Sequence, residues 1–210
     1  DVFPYPNLFH NFTGSNEYDN FMRTNPPAEE AYFAPFMNQT SIRSAVHVGD
    51  RVLQSGHTCE LHLLNDFMVT YKPELATLMD NYDVLVYSGQ LDVIIGAPLT
   101  SRFLKTVDWS GKADLAAAPR AVWRVKSDDA EVAGYATQVK HTNGVFSHVI
   151  VRGAGHIVPG DQPERALDMI THLIEGVPYV NLPNPVKSSP RVDEASTNIN
   201  NQDAHHISVY

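Results

Sequence analysis

The chain has 210 residues, 43% of them hydrophobic, enough for a globular domain with a buried core. Its formal net charge of -9 argues against a nucleic-acid or anionic-membrane surface, and no apolar stretch approaches the ~20 residues needed to span a bilayer. The opening Asp1-Val2-Phe3-Pro4-Tyr5-Pro6 lacks the basic region and continuous apolar run of a signal peptide.

In chain order, residues 1–28 are rich in Pro, Asn and aromatics without a clear period, and predict an irregular segment. A short helix is predicted over 29–37, stopped at the turn-prone Asn38. A second runs from Thr40 or Ser41 through Val48, with Gly49 as its stop. The stretch 50–72 is mixed and gives no assignment. Pro73 opens an amphipathic helix over 73–82 with Leu75, Leu78 and Met79 on one face. The all-apolar run 84–87 predicts a strand buried in a parallel sheet. A helix over 99–107 follows, then a strand over 121–125 that contains Trp123. The runs 131–140 and 145–151 flank His141-Thr142-Asn143-Gly144, whose Asn-Gly signals a hairpin. The final helix is predicted over 161–176. Asp161 caps it, Glu164 completes a capping box, Pro163 lies in the first turn, and Leu167, Ile170 and Ile174 form the buried stripe, joined by Ala166 and Leu173. From 183 onwards the composition shifts to Pro, Ser, Asn and Asp, which predicts a disordered tail over 183–210.

Two strand ends carry the chemistry. Val84-Leu85-Val86-Tyr87-Ser88-Gly89-Gln90-Leu91-Asp92 ends in a turn that presents a carboxylate. Val149-Ile150-Val151-Arg152-Gly153-Ala154-Gly155-His156 ends in a glycine-rich bend that presents an imidazole, stiffened beyond by Pro159. A general base must be aimed from a rigid support. An acid first and a histidine later, each just past a strand, is the chain order of the last two triad members in α/β-hydrolases. Taken singly, Asp92 also reads as a turn or helix-cap carboxylate, and His156 as a hydrogen-bonded loop histidine.

Together these segments resemble the serine carboxypeptidases of the α/β-hydrolase fold, and within them the vitellogenic-type branch, whose acid turn reads Gly-Gln-Leu-Asp as at 89–92. The resemblance runs over about 14–176. It includes Asn20-Phe21-Met22-Arg23, Ala45-Val46-His47-Val48-Gly49, Asp108-Trp109 and the stretch 127–135. It is strongest at Gly155-His156-Ile157-Val158-Pro159-Gly160-Asp161-Gln162-Pro163. It implies an α/β fold: the C-terminal portion of an α/β-hydrolase, with a mostly parallel central sheet flanked by helices and part of a cap. On that basis 1–72 is expected to be a cap or insertion segment, 73–182 the C-terminal part of the core, and 183–210 the tail. It also implies that Asp92 and His156 are catalytic, and that Ile157 lines the pocket for the leaving C-terminal residue, where plain core packing is the other reading. No metal or organic cofactor is implied.

No Gly-x-Ser-x-Gly occurs in the 210 residues, nor does the family's Trp-Asn-Gly-Gly-Pro-Gly oxyanion segment. The expected partner is therefore an N-terminal portion or heavy chain carrying the nucleophile, with peptides as substrates. The chain alone is expected to be inactive, whether it is a fragment or a processed light chain. A non-catalytic homologue with a binding or chaperone-like role, and an acyltransferase of the same family, are the alternatives. The family's cysteine positions near 20–23 are held here by Ser15 and Thr24, as if one bridge had been lost as a unit. The single cysteine, Cys59, has no intrachain partner and reads either as a thiol for another chain or as an inert buried residue. Asn11-Phe12-Thr13 and Asn38-Gln39-Thr40 make Asn11 and Asn38 glycosylation candidates, in keeping with a secreted or lysosomal setting. His57, Cys59 and Glu60 lack the distant second group that a zinc site needs, so no metal site is predicted.

Overall fold

The computed structural model describes residues 8–54, 56–67 and 69–179. The predicted tail lies outside them. Four helices come first: α1 (Leu8–Thr13), α2 (Glu30–Met37), α3 (Thr40–Ala45) and α4 (Gly56–Phe67), none of which buries a residue. Then α5 (Lys72–Asn81) leads into β1 (Val84–Gly89), followed by α6 (Ala97–Leu104) and α7 (Lys112–Ala117). Next come β2 (Ala121–Trp123), β3 (Gly134–Lys140) and β4 (Val145–Val151), then α8 (Val158–Asp161) and α9 (Pro163–Glu175).

The four strands form one sheet in the order β1-β4-β3-β2. β1 runs parallel to β4, while β3 is antiparallel to both β4 and β2. Within the described residues the sheet is thus mixed rather than mostly parallel. The Asn-Gly turn accounts for this: the His141 N–H donates to the Gly144 carbonyl at 3.0 Å and folds β3 back on β4. Side chains alternate across β4. Phe146 packs with Met79, Leu104, Val107, Trp109, Leu115 and Val139 under α5, α6 and α7. Val149 and Val151 pack on the opposite face with Trp123, Ala136, Val158, Ala166 and Met169 under α8 and α9. The result is a helix–sheet–helix sandwich.

Four expectations are corrected and one unassigned stretch is filled. Residues 8–13 are helical, closed by the Thr13 hydroxyl on the Phe9 carbonyl at 2.6 Å and by Gly14 at φ 71°. The unassigned stretch holds α4, whose apolar residues Leu61, Leu63, Leu64 and Phe67 are all exposed. The second predicted helix stops at Ala45, because His47 turns left-handed at φ 59°. The final helix is broken at Gln162, and Asp161 does not cap it; its carboxylate turns back toward Gly155. α9 is also rotated from its predicted face: Ala166 is buried as expected and Met169 joins it, while Leu167, Ile170 and Ile174 face outward. Its stop is as expected: Gly176 adopts φ 65° and the Val177 N–H reaches the His172 carbonyl at 2.9 Å.

Candidate active site

Because β1 and β4 are parallel neighbours with Gly89 opposite Val151, their C-terminal ends emerge at the same level. The loops that follow lie side by side and are tied together. The Gln90 N–H donates to the Val151 carbonyl at 3.0 Å, and the Leu91 N–H to the Ala154 carbonyl at 2.7 Å. Gly153 makes the bend with φ 73°. Gly155 has a different reason to be glycine: a Cβ there would lie 2.1 Å from the Asp19 carbonyl oxygen.

The two loops bring Asp92 and His156 together. Asp92 Oδ1 accepts the backbone N–H groups of Ile94 at 2.8 Å and Ile95 at 3.1 Å. Its Oδ2 lies 3.0 Å from His156 Nδ1. The Asp92 side chain is 5% exposed and the imidazole 37% exposed. A sheltered carboxylate can only accept, so it places the ring proton on Nδ1 and leaves Nε2 as the nitrogen able to take a proton. Ile157, directly after the histidine, is half exposed rather than packed in the core. Asn11 and Asn38 are both at the surface, and Cys59 is exposed on α4.

A third segment meets the pair. The loop between α1 and α2 crosses both strand-end loops. The Phe21 N–H donates to the Leu91 carbonyl at 3.1 Å, the Val93 N–H to the Tyr18 carbonyl at 3.2 Å, and the His156 N–H to the Asp19 carbonyl at 2.7 Å. Asn20 and Arg23 of this strap hold the buried carboxylate of Asp161, through Asn20 Nδ2 at 2.8 Å and an ion pair with Arg23. The aperiodic segment 14–23 gives no structural signal for this role. The only pointer was the family-like stretch Asn20-Phe21-Met22-Arg23. Ser15 and Thr24 prove adjacent, with the Ser15 hydroxyl 3.4 Å from the Thr24 carbonyl oxygen, so one covalent bridge there would close the strap into a loop.

Within the strap, Glu17 is buried and its Oε1 has no hydrogen-bond partner among the described residues. Burial raises its pKa above the ordinary value. The nearby carboxylates of Asp19 and Glu30 add to this, while the Asn20 N–H and Arg23 oppose it. The folded state therefore binds this proton more tightly than the unfolded state. Its contribution to stability is full below the usual glutamate range and is lost as pH rises through the folded value. Glu17→Gln is expected to stabilise the strap at neutral pH and to change nothing at low pH. Amide hydrogen exchange of 18–23 against pH checks this, and a gain that persists undiminished at low pH would count against it.

The family model described as serine carboxypeptidase matches residues 6–176. The chain is 42% identical over 183 residues to the probable serine carboxypeptidase CPVL of Homo sapiens, covering 86% of this chain and 38% of that protein. It is 36% identical over 175 residues to the venom serine carboxypeptidase of Apis mellifera, covering 82% and 36%. It is 35% identical over 167 residues to the vitellogenic carboxypeptidase of Aedes aegypti, covering 78% and 34%. A solved prohormone-processing carboxypeptidase from Saccharomyces cerevisiae matches with a TM-score of 0.55 at 18% identity, over 76% of this chain and 36% of that one, and has the same α/β-hydrolase fold. The chain spans little more than a third of the length of these relatives.

Proposed function

The chain belongs to the serine carboxypeptidase family, and from that membership we propose that it supplies the acid and the base of a Ser-Asp-His triad whose serine lies outside these residues. The observation that carries the reading is the 3.0 Å contact of Asp92 Oδ2 with His156 Nδ1, made from the ends of two parallel neighbouring strands. A serine hydroxyl attacks an amide only if its proton leaves during attack. His156 Nε2 takes that proton and returns it to the leaving amine, while Asp92 holds the tautomer and stabilises the imidazolium. The whole enzyme removes single residues from peptide C-termini, with half-exposed Ile157 as part of the wall against the leaving residue. It needs no cofactor. Asn11 and Asn38, exposed in their sequons, fit glycosylation in the secretory pathway and a secreted or lysosomal protein. Residues 1–72 contribute to a cap, 73–182 to the core, and an N-terminal portion or heavy chain completes the site.

A fluorophosphonate probe tests the division of labour. The chain 1–210 alone is expected to take no label and to hydrolyse no blocked dipeptide. The full-length enzyme is expected to be labelled on one serine outside this chain. Stoichiometric labelling of a serine within the 210 residues would overturn the assignment.

A further inference from the structure

We infer that Asp161 is a positioning residue: through the 18–23 strap it fixes the direction in which His156 leaves the backbone. The inference rests on the catalytic reading of His156. Asp161 stands at the end of α8 with its side chain 5% exposed, and it serves three donors. Oδ2 accepts the Gly155 N–H at 2.6 Å and the Asn20 amide at 2.8 Å, and Oδ1 pairs with the Arg23 guanidinium. Charge-assisted bonds of this kind are about twice as strong as neutral ones. Gly155 is the residue before the imidazole, and a glycine there has little conformational preference of its own. The Asp161 bond on its N–H, and the strap's Asp19 carbonyl on the next N–H, remove that freedom. The same strap bonds residues 91 and 93, on either side of Asp92. One buried carboxylate thus anchors the piece of backbone that sets the distance between acid and base.

The test is a donor–acceptor exchange in the full-length enzyme. Asp161→Asn turns one acceptor oxygen into an amide donor, which must face either Arg23 or the donors of Asn20 and Gly155. Expected is a loss of kcat of about ten- to a hundredfold, the scale of a small misplacement of a catalytic group, with KM changed by less than about twofold. The low-field proton resonance of His156 Nδ1–H should weaken in parallel. Asn20→Asp added to Asp161→Asn exchanges donor for acceptor, and the carboxylate introduced by Asn20→Asp can still take the Met22 N–H that Asn20 Oδ1 now accepts. The double variant regains the strap contact but leaves the Gly155 N–H without its acceptor, so it should recover part of kcat and of the resonance. If Asp161→Asn does not fold, Arg23→Gln, which spares the Gly155 bond, carries the same comparison of kcat against KM. Unchanged kcat in the folded single variants, or a double variant no better than Asp161→Asn, overturns the positioning role. His156→Ala is run alongside. If it abolishes turnover while Asp161→Asn leaves kcat unchanged, positioning alone fails. If His156→Ala is itself active, the triad reading fails and the inference goes with it.

Discussion

Replacing His156 with Ala in the full-length enzyme is expected to lower kcat by about 10⁴ to 10⁶, with KM nearly unchanged, because the base acts in the transition state and not in binding. Asp92→Asn is expected to cost about 10⁴ in turnover, for a reason the geometry makes specific. Asp92 Oδ1 is committed to the N–H groups of Ile94 and Ile95. An asparagine keeps that turn with its carbonyl oxygen and so must aim its NH₂ at His156 Nδ1. Nδ1 then has to accept, the ring proton moves to Nε2, and the nitrogen facing the serine can no longer take a proton. The double variant should fall far short of the product of the two losses, since triad members act as a unit. A blocked dipeptide with a free C-terminus gives the readout. A non-catalytic homologue would keep its binding in both variants. An acyltransferase would lose activity in both but prefer a hydroxyl acceptor to water. Near-normal hydrolysis by His156→Ala would end the triad assignment.

How far the sequence could be read follows from where its signals are local. The β1 and β4 runs are apolar and short, and the hairpin has its Asn-Gly, so both strands and the hairpin pairing were legible. Once those strands are neighbours, the contact between Asp92 and His156 follows from two loops leaving the same sheet edge. The strap was not legible, because its order comes from bonds to residues about 70 and 140 positions away rather than from any period of its own. Asp161 shows the same limit from the other side. An acidic residue ahead of a Pro-Glu helix start has the pattern of a cap, yet Gly155, Asn20 and Arg23 compete for the carboxylate and win. The rotated face of α9 has a compositional cause. Leu167, Ile170 and Ile174 are the larger aliphatics, but the sheet surface under the helix, formed by Val149, Val151 and Trp123, takes Ala166 and Met169. Tyr87, Leu99 and Phe103 are likewise exposed, apolar surface of the kind that continuation of the fold in a longer chain would cover.

Acidification is expected to weaken the sheet through His148. This residue lies in β4 between Val86 of β1 and Thr137 of β3. Its side chain borders a cavity of about 230 Å³ shared with Ser101, Lys105 and Arg120. The residue is 6% exposed, and its Nε2 has no partner among the described residues. Burial, and then the charge of Arg120, hold its pKa down to about 4 from the ordinary 6.5. The unfolded chain therefore binds a proton between those values that the folded chain refuses, so stability rises with pH across the window. The contribution is full above about pH 6.5 and gone below about pH 4, a difference of about 3 kcal/mol, of which about 2 is already lost at pH 5. Against a typical domain stability of about 5–15 kcal/mol this is a large share. It runs opposite to Glu17, whose buried carboxyl favours the folded strap at low pH, so acid is expected to tighten the strap while loosening the strand beneath it. Thermal midpoints of the wild type and of His148→Gln between pH 4 and 8 separate the effect from any loss of packing. Glutamine does not titrate, so the variant's midpoint should fall less steeply below pH 6.5 even if it starts lower. Parallel pH profiles for the two proteins would show that His148 is not held neutral by its burial.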